Sequence, residues 1–219
     1  MRRLTLTFDN GPAPGTTERV LDELGARGMP ACFFVVGAQL ERRGARALAE
    51  RAVAEGHRVG NHTMTHSVPL GERHDAGHAL AEIDACQSLL GPLADAERLF
   101  RPFGRGGAIG PHLLSPEAFA HLRERAYTLV LWNSLPRDWE NPEGWVERAL
   151  ADVRANHWTV VVLHDLPTGA MAALPRFLDA VTEKGVTVTA DVPDTCVPLR
   201  RGVVTGDVGG LVADGAAGV

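Results

Sequence analysis

The chain has 219 residues, of which 45% are hydrophobic and 22% charged, and this length and composition suit one globular domain with a sizeable core. The formal net charge is −5 and no cluster of Lys and Arg is present, so a nucleic-acid partner is excluded. No apolar run reaches the ~18 residues of a membrane helix, which argues against a membrane partner. The three cysteines, Cys32, Cys86 and Cys196, are widely spaced, so a disulfide framework or cysteine zinc site is not expected.

The N-terminal sequence Met1-Arg2-Arg3 leads directly into a strand-like run. A signal peptide would need a longer apolar stretch followed by a small-residue cleavage site. We therefore expect a cytoplasmic protein. The sequence predicts no particular oligomeric state.

Short β-type runs alternate with helical segments along most of the chain. Apolar residues at helical spacing and Gly stops mark the helices, whereas short apolar or alternating runs mark the strands. In chain order the predicted elements are strand 4–8, helix 16–28, strand 31–36, helix 38–55, strand 58–61, helix 76–90, strand 99–100, helix 116–126, strand 127–132, helix 141–156, strand 159–163, helix 170–184 and strand 186–190.

Strands that alternate with helices at this spacing predict βα units and a parallel sheet. About seven strands favour a closed or nearly closed β/α barrel over the second possibility, a doubly wound sheet. We assign residues 1–200 to one domain. Residues 201–219 form a Gly- and Val-rich tail that we expect to be weakly ordered or to lie across the surface.

Unusual polar residues follow the predicted strands. Each has an ordinary structural explanation by itself: a turn carboxylate, a surface histidine, a core histidine or a helix-capping arginine. The carboxyl ends of the strands meet at one rim of a β/α barrel, however, so these residues would converge there. They are Asp9 and Asn10, His62 and His66, Arg101, Asp138, and His164 with Asp165.

The segment from His62 to His66 places two imidazoles four residues apart. This spacing suits two ligands of one Zn²⁺ ion, although the pattern alone is weak and also fits a pair of surface histidines.

Five motifs in order resemble the polysaccharide deacetylases, the NodB-homology group of carbohydrate esterase family four. They span residues 5–165 and are Thr7-Phe8-Asp9-Asn10-Gly11-Pro12, His62-Thr63-Met64-Thr65-His66, Arg101-Pro102-Phe103-Gly104, Trp132 through Asp138-Trp139, and Leu163-His164. The resemblance implies a distorted (β/α)7-type barrel of parallel strands, which agrees with the strand count.

The resemblance also implies an activity and a role for each motif residue. The activity is metal-dependent hydrolysis of an N-acyl group, with acetyl as the expected acyl group, on an amino sugar, a short oligosaccharide or a similar amide. The implied roles are Asp9 as general base, Arg101 as its brace, His164 as general acid, Asp138 as the residue that orients His164, Phe103 as backbone oxyanion donor, Trp139 and Leu163 as walls of the acyl pocket, and Asn10, His62 and His66 as metal ligands.

Two positions depart from the family pattern. Asn10 replaces a metal-binding aspartate, which keeps an oxygen donor but removes one negative charge, so we expect a weakly held or exchangeable metal. Zn²⁺ is our first expectation for that metal, and Co²⁺, Ni²⁺ or Mn²⁺ would also suit the donors. Leu135 stands where the family has an acidic residue. The scarcity of aromatic residues favours a short glycan or small N-acylated substrate over a long polymer.

Two other functions stay open on the same fold. One is hydrolysis of a different C–N bond, such as that of a cyclic imide, and Leu135 would mark that shift. The other is a catalytically decayed, carbohydrate-binding protein in which Asn10 marks the decay.

Overall fold

The structure is a computed structural model that describes residues 1–73, 75 and 77–214. Along these residues the strands are β1 (Arg3–Asp9), β2 (Ala31–Val35), β3 (Arg58–Asn61), β4 (Leu99–Phe100), β5 (Thr128–Leu129), β6 (Trp158–His164), β7 (Thr187–Val188), β8 (Leu199–Arg200) and β9 (Val203–Val204). The helices are α1 (Thr17–Ala26), α2 (Gly37–Leu40), α3 (Ala45–Ala54), α4 (His78–Leu90), α5 (Pro116–Glu124), α6 (Trp145–Ala155) and α7 (Leu174–Glu183).

The strands form one curled sheet in the order β6-β1-β2-β3-β4-β5-β8-β9, and β7 pairs with the start of β1. Pairing is parallel from β6 to β5, whereas β8 and β9 are antiparallel additions. A parallel bridge between Ser134 and Val161 brings the chain after β5 back to β6, so the curl nearly closes. The predicted mixed α/β, (β/α)7-type barrel is confirmed.

Side chains of β1 alternate between the two faces of the sheet, as the pleat requires. Leu4, Leu6 and Phe8 are fully buried in an outer apolar layer shared with the helices. Thr5 and Thr7 belong to the opposite face and are hydrogen bonded there, to Asp191 O and Val161 O. The barrel interior is therefore partly polar. Asp9 is the next residue on that face and lies at the rim of the barrel.

Several element boundaries differ from the predicted ones. The predicted helix 38–55 is two helices, because residues 41–44 form a turn and Gly44 adopts a left-handed φ of 84° before α3. Helix α6 begins at Trp145, because Asn141 instead accepts the Gly144 N–H in a preceding turn. Helix α7 follows a short 3₁₀ turn, Ala170–Ala173, whereas the predicted helix 170–184 includes these residues.

The first part of the Gly- and Val-rich tail is structured. Val203 and Val204 form β9 against β8, and Leu211 is nearly buried in the second apolar cluster. Leu114 hydrogen bonds with the backbone of Leu211 and of Ala213. The tail thus lies across the domain as far as Asp214, and residues 215–219 lie outside the described residues.

No helix in the described part of the chain is long and apolar enough to cross a membrane. The cytoplasmic location stays a prediction.

Candidate active site

The end of β1 and the turn after it hold Asp9 and Asn10 in a constrained position. Asp9 is 4% exposed, and Asn10 adopts a left-handed φ of 73°, which asparagine tolerates better than most residues. At Gly11 an added Cβ would lie 2.2 Å from Asp165 Oδ2, so only glycine fits this close approach. The Asp165 carboxyl also accepts a hydrogen bond from Thr17 Oγ1, which ties the end of β6 to the start of α1.

Arg101, which directly follows β4, braces Asp9 from inside the barrel. Its guanidinium is fully buried and donates from Nη1 to Asp9 Oδ1 at 2.9 Å and to Thr7 Oγ1 at 2.6 Å. Nε and Nη2 donate to the carbonyl oxygens of Val130 and Leu131. The charge of Arg101 is thus paired, and four acceptors fix its direction, which in turn fixes the carboxylate of Asp9.

His62 and His66 lie beside Asp9 with their rings 4.8 Å apart. Because the carbonyl oxygen of Arg101 accepts a hydrogen bond from His62 Nδ1 at 2.7 Å, His62 Nε2 keeps its lone pair. That Nε2 atom is 3.7 Å from Asp9 Oδ2. Burial lowers the pKa of both histidines to about 3, so both imidazole rings are uncharged and each has a nitrogen lone pair to offer a metal.

The loop that carries these histidines holds a strained backbone. Thr63 and His66 have φ values of 68° and 52°, which are energetically costly for residues other than glycine. Asn61 Oδ1 accepts the Thr63 N–H, and Thr63 Oγ1 accepts the His66 N–H. The nearly buried carboxylate of Glu82 on α4 accepts both the N–H and the hydroxyl of Thr65. These bonds hold the backbone of the loop that carries both imidazoles.

His164 ends β6 and is held by Asp138. Asp138 is fully buried, and its two oxygens accept the backbone N–H and the Nδ1–H of His164, each at 2.9 Å. Burial lowers the pKa of His164, but the hydrogen bond to Asp138 and the charges of Asp138, Asp9 and Asp165 together raise it by more, so the pKa lies above its ordinary value. Trp139 packs edge-on against the ring. His164 is therefore an oriented imidazole that holds its proton more firmly than an ordinary histidine does.

Asp9 and His164 are neighbours in the sheet. In the β1–β6 ladder the register pairs Asp9 with His164, so their side chains leave adjacent strands at the same rim. This carboxylate and imidazole line one cavity of about 300 Å³, with Asn10, His62, His66, Phe103 and Trp139 in the same wall. The convergence of these sequence-predicted residues follows from the parallel register.

A family model described as polysaccharide deacetylase matches residues 1–106. A chitooligosaccharide deacetylase from Sinorhizobium fredii is 32% identical over 196 residues, which cover 82% of this chain and 86% of that protein. The chain belongs to the polysaccharide deacetylase family. The resemblance drawn from the five motifs is confirmed, and with it the class of hydrolases that act on amide C–N bonds of amino sugars.

Other members of the polysaccharide deacetylase family are similar over most of their length. A peptidoglycan-N-acetylglucosamine deacetylase from Bacillus cereus is 29% identical, with 83% of each chain covered. The family 4 carbohydrate esterase from Streptomyces lividans, solved in complex with acetate, superposes with a TM-score of 0.71 at 25% identity and covers 97% of this chain and 98% of that one. The peptidoglycan deacetylase PdaC from Bacillus subtilis superposes at 0.67 with 30% identity, covering 85% and 86% of the two chains.

Three donors in this polysaccharide deacetylase could hold a divalent metal. No group of three or more His, Cys, Asp or Glu side chains suited to a metal occurs among the described residues, and the third candidate donor is an amide. Asn10 Oδ1 is buried without a hydrogen-bond partner among those residues. Such an atom normally has a partner, so an unpaired amide oxygen on a residue that lines the same cavity as His62 and His66 fits a metal ligand.

One predicted wall residue lies elsewhere. Leu163 is fully buried in the outer apolar layer with Phe8, away from the cavity. The prediction overlooked the pleat: Val162 and His164 face the cavity, so Leu163 between them must face outward. Leu166, two residues beyond His164, lines the cavity instead.

Several residues around the cavity had been given no catalytic or binding role by the sequence. Trp132, Leu135 and Val162 line the cavity, and Glu82 and Asp165 hold the loops around it. The alternation of β6 would have indicated Val162. Glu82 lies in mid-helix, and its contact with Thr65 depends on the packing of α4 against the histidine loop, which no local pattern reveals.

Proposed function

We propose that this protein is a metal-dependent N-deacetylase that hydrolyses the amide of an N-acetylated amino sugar or short chitooligosaccharide. The observation that carries the proposal is the pairing of two braced groups at one rim: Asp9, fixed by Arg101, beside His164, fixed by Asp138. A carboxylate and a protonated imidazole placed side by side supply the base and the acid that amide hydrolysis needs.

Asp9 accepts the proton of the attacking water as the general base, and Arg101 holds its carboxylate in one direction. His164 delivers a proton to the leaving amine as the general acid, and Asp138 keeps that imidazole charged and aligned. The backbone N–H of Phe103, whose ring lies 3.9 Å from that of His66, is the proposed donor to the oxyanion. Trp139 forms one wall of the acyl pocket beside His164.

His62, His66 and Asn10 are the proposed metal ligands. A divalent cation bound there, with Zn²⁺ as first choice, would polarise the carbonyl and lower the pKa of a bound water. The His62 and His66 rings are neutral and oriented, so the imidazoles need neither deprotonation nor reorganisation to coordinate.

The proposal is tested by acetate release from N-acetylglucosamine oligomers, measured on protein stripped with a chelator and then resupplied with Zn²⁺, Co²⁺, Ni²⁺ or Mn²⁺. We expect acetate release that depends on added metal and that the His62→Ala/His66→Ala double variant lacks. Glycan binding without hydrolysis, whichever of these metals is added, would indicate a binding protein instead. Ring opening of cyclic imides without acetate release would indicate the other C–N hydrolase.

The Asn10→Asp variant is expected to bind Zn²⁺ more tightly by about ten- to a hundredfold, because a carboxylate adds one negative charge to the donor set. Competition with a chromogenic chelator measures the affinity. Asn141→Asp is the matched control, since the oxygen that caps Gly144 is retained and the added charge lies at the surface. Equal affinity in Asn10→Asp and the parent protein would remove Asn10 from the ligand set.

A further inference from the structure

The cavity beside Asp9 and His164 has a polar part and an apolar part. Apart from the two tryptophans, every side chain in the lining that carries a polar group belongs to the proposed catalytic or metal-binding set. The rest is glycine backbone and apolar or aromatic side chains, among them Phe103, Trp132, Leu135, Val162 and Leu166. Beyond the reacting groups, this lining therefore offers a substrate mainly apolar contact.

The apolar part of the lining includes two nearly buried side chains. Trp132 is 8% exposed and Val162 is 3% exposed, so water reaches little of either side chain. The indole N–H of Trp132 already donates to the carbonyl oxygen of Gly107 at 3.1 Å. Neither side chain can therefore form a hydrogen bond with a sugar hydroxyl. A hydroxyl placed there would lose its hydrogen bonds to water and gain none from these two residues.

Leu135 completes this apolar wall against the loop that carries Phe103. An added Cβ at Gly107 would lie 2.0 Å from Leu135 Cδ2, and one at Gly104 would lie 2.9 Å from Trp132. The backbone of this loop is therefore packed directly on both side chains. Leucine stands here in place of the acidic residue of the family pattern, so the wall has lost a hydrogen-bond acceptor and gained apolar surface.

The apolar part of the lining also decides which part of a substrate contacts it. The reacting amide must lie between Asp9 and His164 at the rim. A sugar on the amine side continues into a glycan or ends in hydroxyls, and both need access to water. The acyl side ends in a methyl group and gains from burial, by about fourfold in affinity for each buried methylene.

Building on the proposed function, we propose that the apolar part of the cavity receives the acyl chain, that Leu135 sets its specificity, and that the preferred substrates are amino sugars whose N-acyl group is longer than acetyl. The reaction is unchanged. The oxygen of water bonds to the acyl carbon, the C–N bond breaks, a proton passes to the amine, and a short-chain carboxylate and a free amino sugar are released.

The test is a series of N-acetyl-, N-propionyl-, N-butyryl- and N-hexanoylglucosamine with the metal-loaded enzyme. We expect kcat/KM to be about tenfold higher for butyryl than for acetyl, as extra methylenes in an apolar pocket give. Leu135→Asp should reverse this preference, and Leu135→Phe, which stays apolar but shortens the pocket, should move the optimum towards acetyl. The control is Leu80→Asp, a partly buried leucine of α4 outside the cavity, which should leave the ratio unchanged.

A wild-type enzyme that prefers acetyl, with Leu135 variants that alter every substrate equally, would overturn the inference and leave the deacetylase proposal intact. If no amide is hydrolysed, the proposed function fails, and calorimetric binding of N-butyryl- against N-acetylglucosamine then decides the pocket. Tighter binding of the butyryl compound that Leu135→Asp abolishes would support the assigned acyl site, and equal binding would refute it.

Discussion

Replacing Asp138 with asparagine is expected to lower kcat by about 10²–10⁴, the range that a positioned general acid contributes. Asp138 is fully buried and accepts both the backbone N–H and the Nδ1–H of His164. Asparagine can still accept one of these bonds but carries no charge to stabilise an imidazolium. The backbone position of His164 should thus survive while its proton is held less firmly.

The pH dependence separates this effect from simple misfolding. Burial lowers the pKa of His164, but Asp138, with the nearby charges of Asp9 and Asp165, raises it above its ordinary value. The acid form is active, so kcat should fall as pH rises through that raised pKa. In Asp138→Asn the effect of burial remains while the charge of Asp138 is lost, so the pKa of His164 falls and the alkaline limb moves to lower pH. The kcat–pH profile of both proteins measures this shift.

The same shift has a consequence for stability. A folded-state pKa above the unfolded value means that protonation of His164 stabilises the fold at pH below about 6.5, the ordinary histidine value, and that this contribution is lost as pH rises through the folded pKa. Asp138→Asn should diminish that contribution. Glu140→Gln, at an exposed carboxylate that pairs with Arg137, is the control and should change neither profile. An Asp138→Asn profile with an unmoved alkaline limb would refute the assignment of His164 as the acid.

Much of the fold was accessible from the sequence, because strands and helices of a barrel obey local periodicity. The strand before Asp9 and the strand before His164 were both marked by apolar runs that end in polar residues. Their parallel register then follows from the barrel and accounts for the pairing of Asp9 with His164. The convergence of the candidate site was predictable for this reason.

The features that the sequence did not reveal depend on contacts between distant segments. Strands β8 and β9 are two residues each, and β8 is held through a pairing of Leu129 with Leu199 that has no local signature. The single helix predicted over residues 38–55 failed because one left-handed glycine outweighed a long run of helix-forming residues. Leu163 was misplaced because a motif gives residue order, whereas the pleat decides which face a side chain occupies.

The largest expected loss of stability is that of Arg101→Met. This substitution leaves the carboxylate of Asp9, 4% exposed, without its cationic partner, and the loss of one member of a buried pair costs about 3–5 kcal/mol. Asp9→Asn should cost less, because Arg101 keeps its hydrogen bonds to Thr7, Val130 and Leu131 when Asp9 is replaced. The two single variants are thus expected to be unequal, although they break the same ion pair.

Denaturant unfolding of metal-free protein measures these free energies, and the double variant completes a thermodynamic cycle. The double variant should be more stable than the sum of the two single losses predicts, since removal of both charges leaves neither one buried alone. Arg46→Met, at an exposed pair with Glu50, is the matched control and should cost no more than about 1 kcal/mol. A loss as small as this control in Arg101→Met would mean that Asp9 is solvated or protonated without its arginine, and Arg101 would then not be the brace of the proposed base.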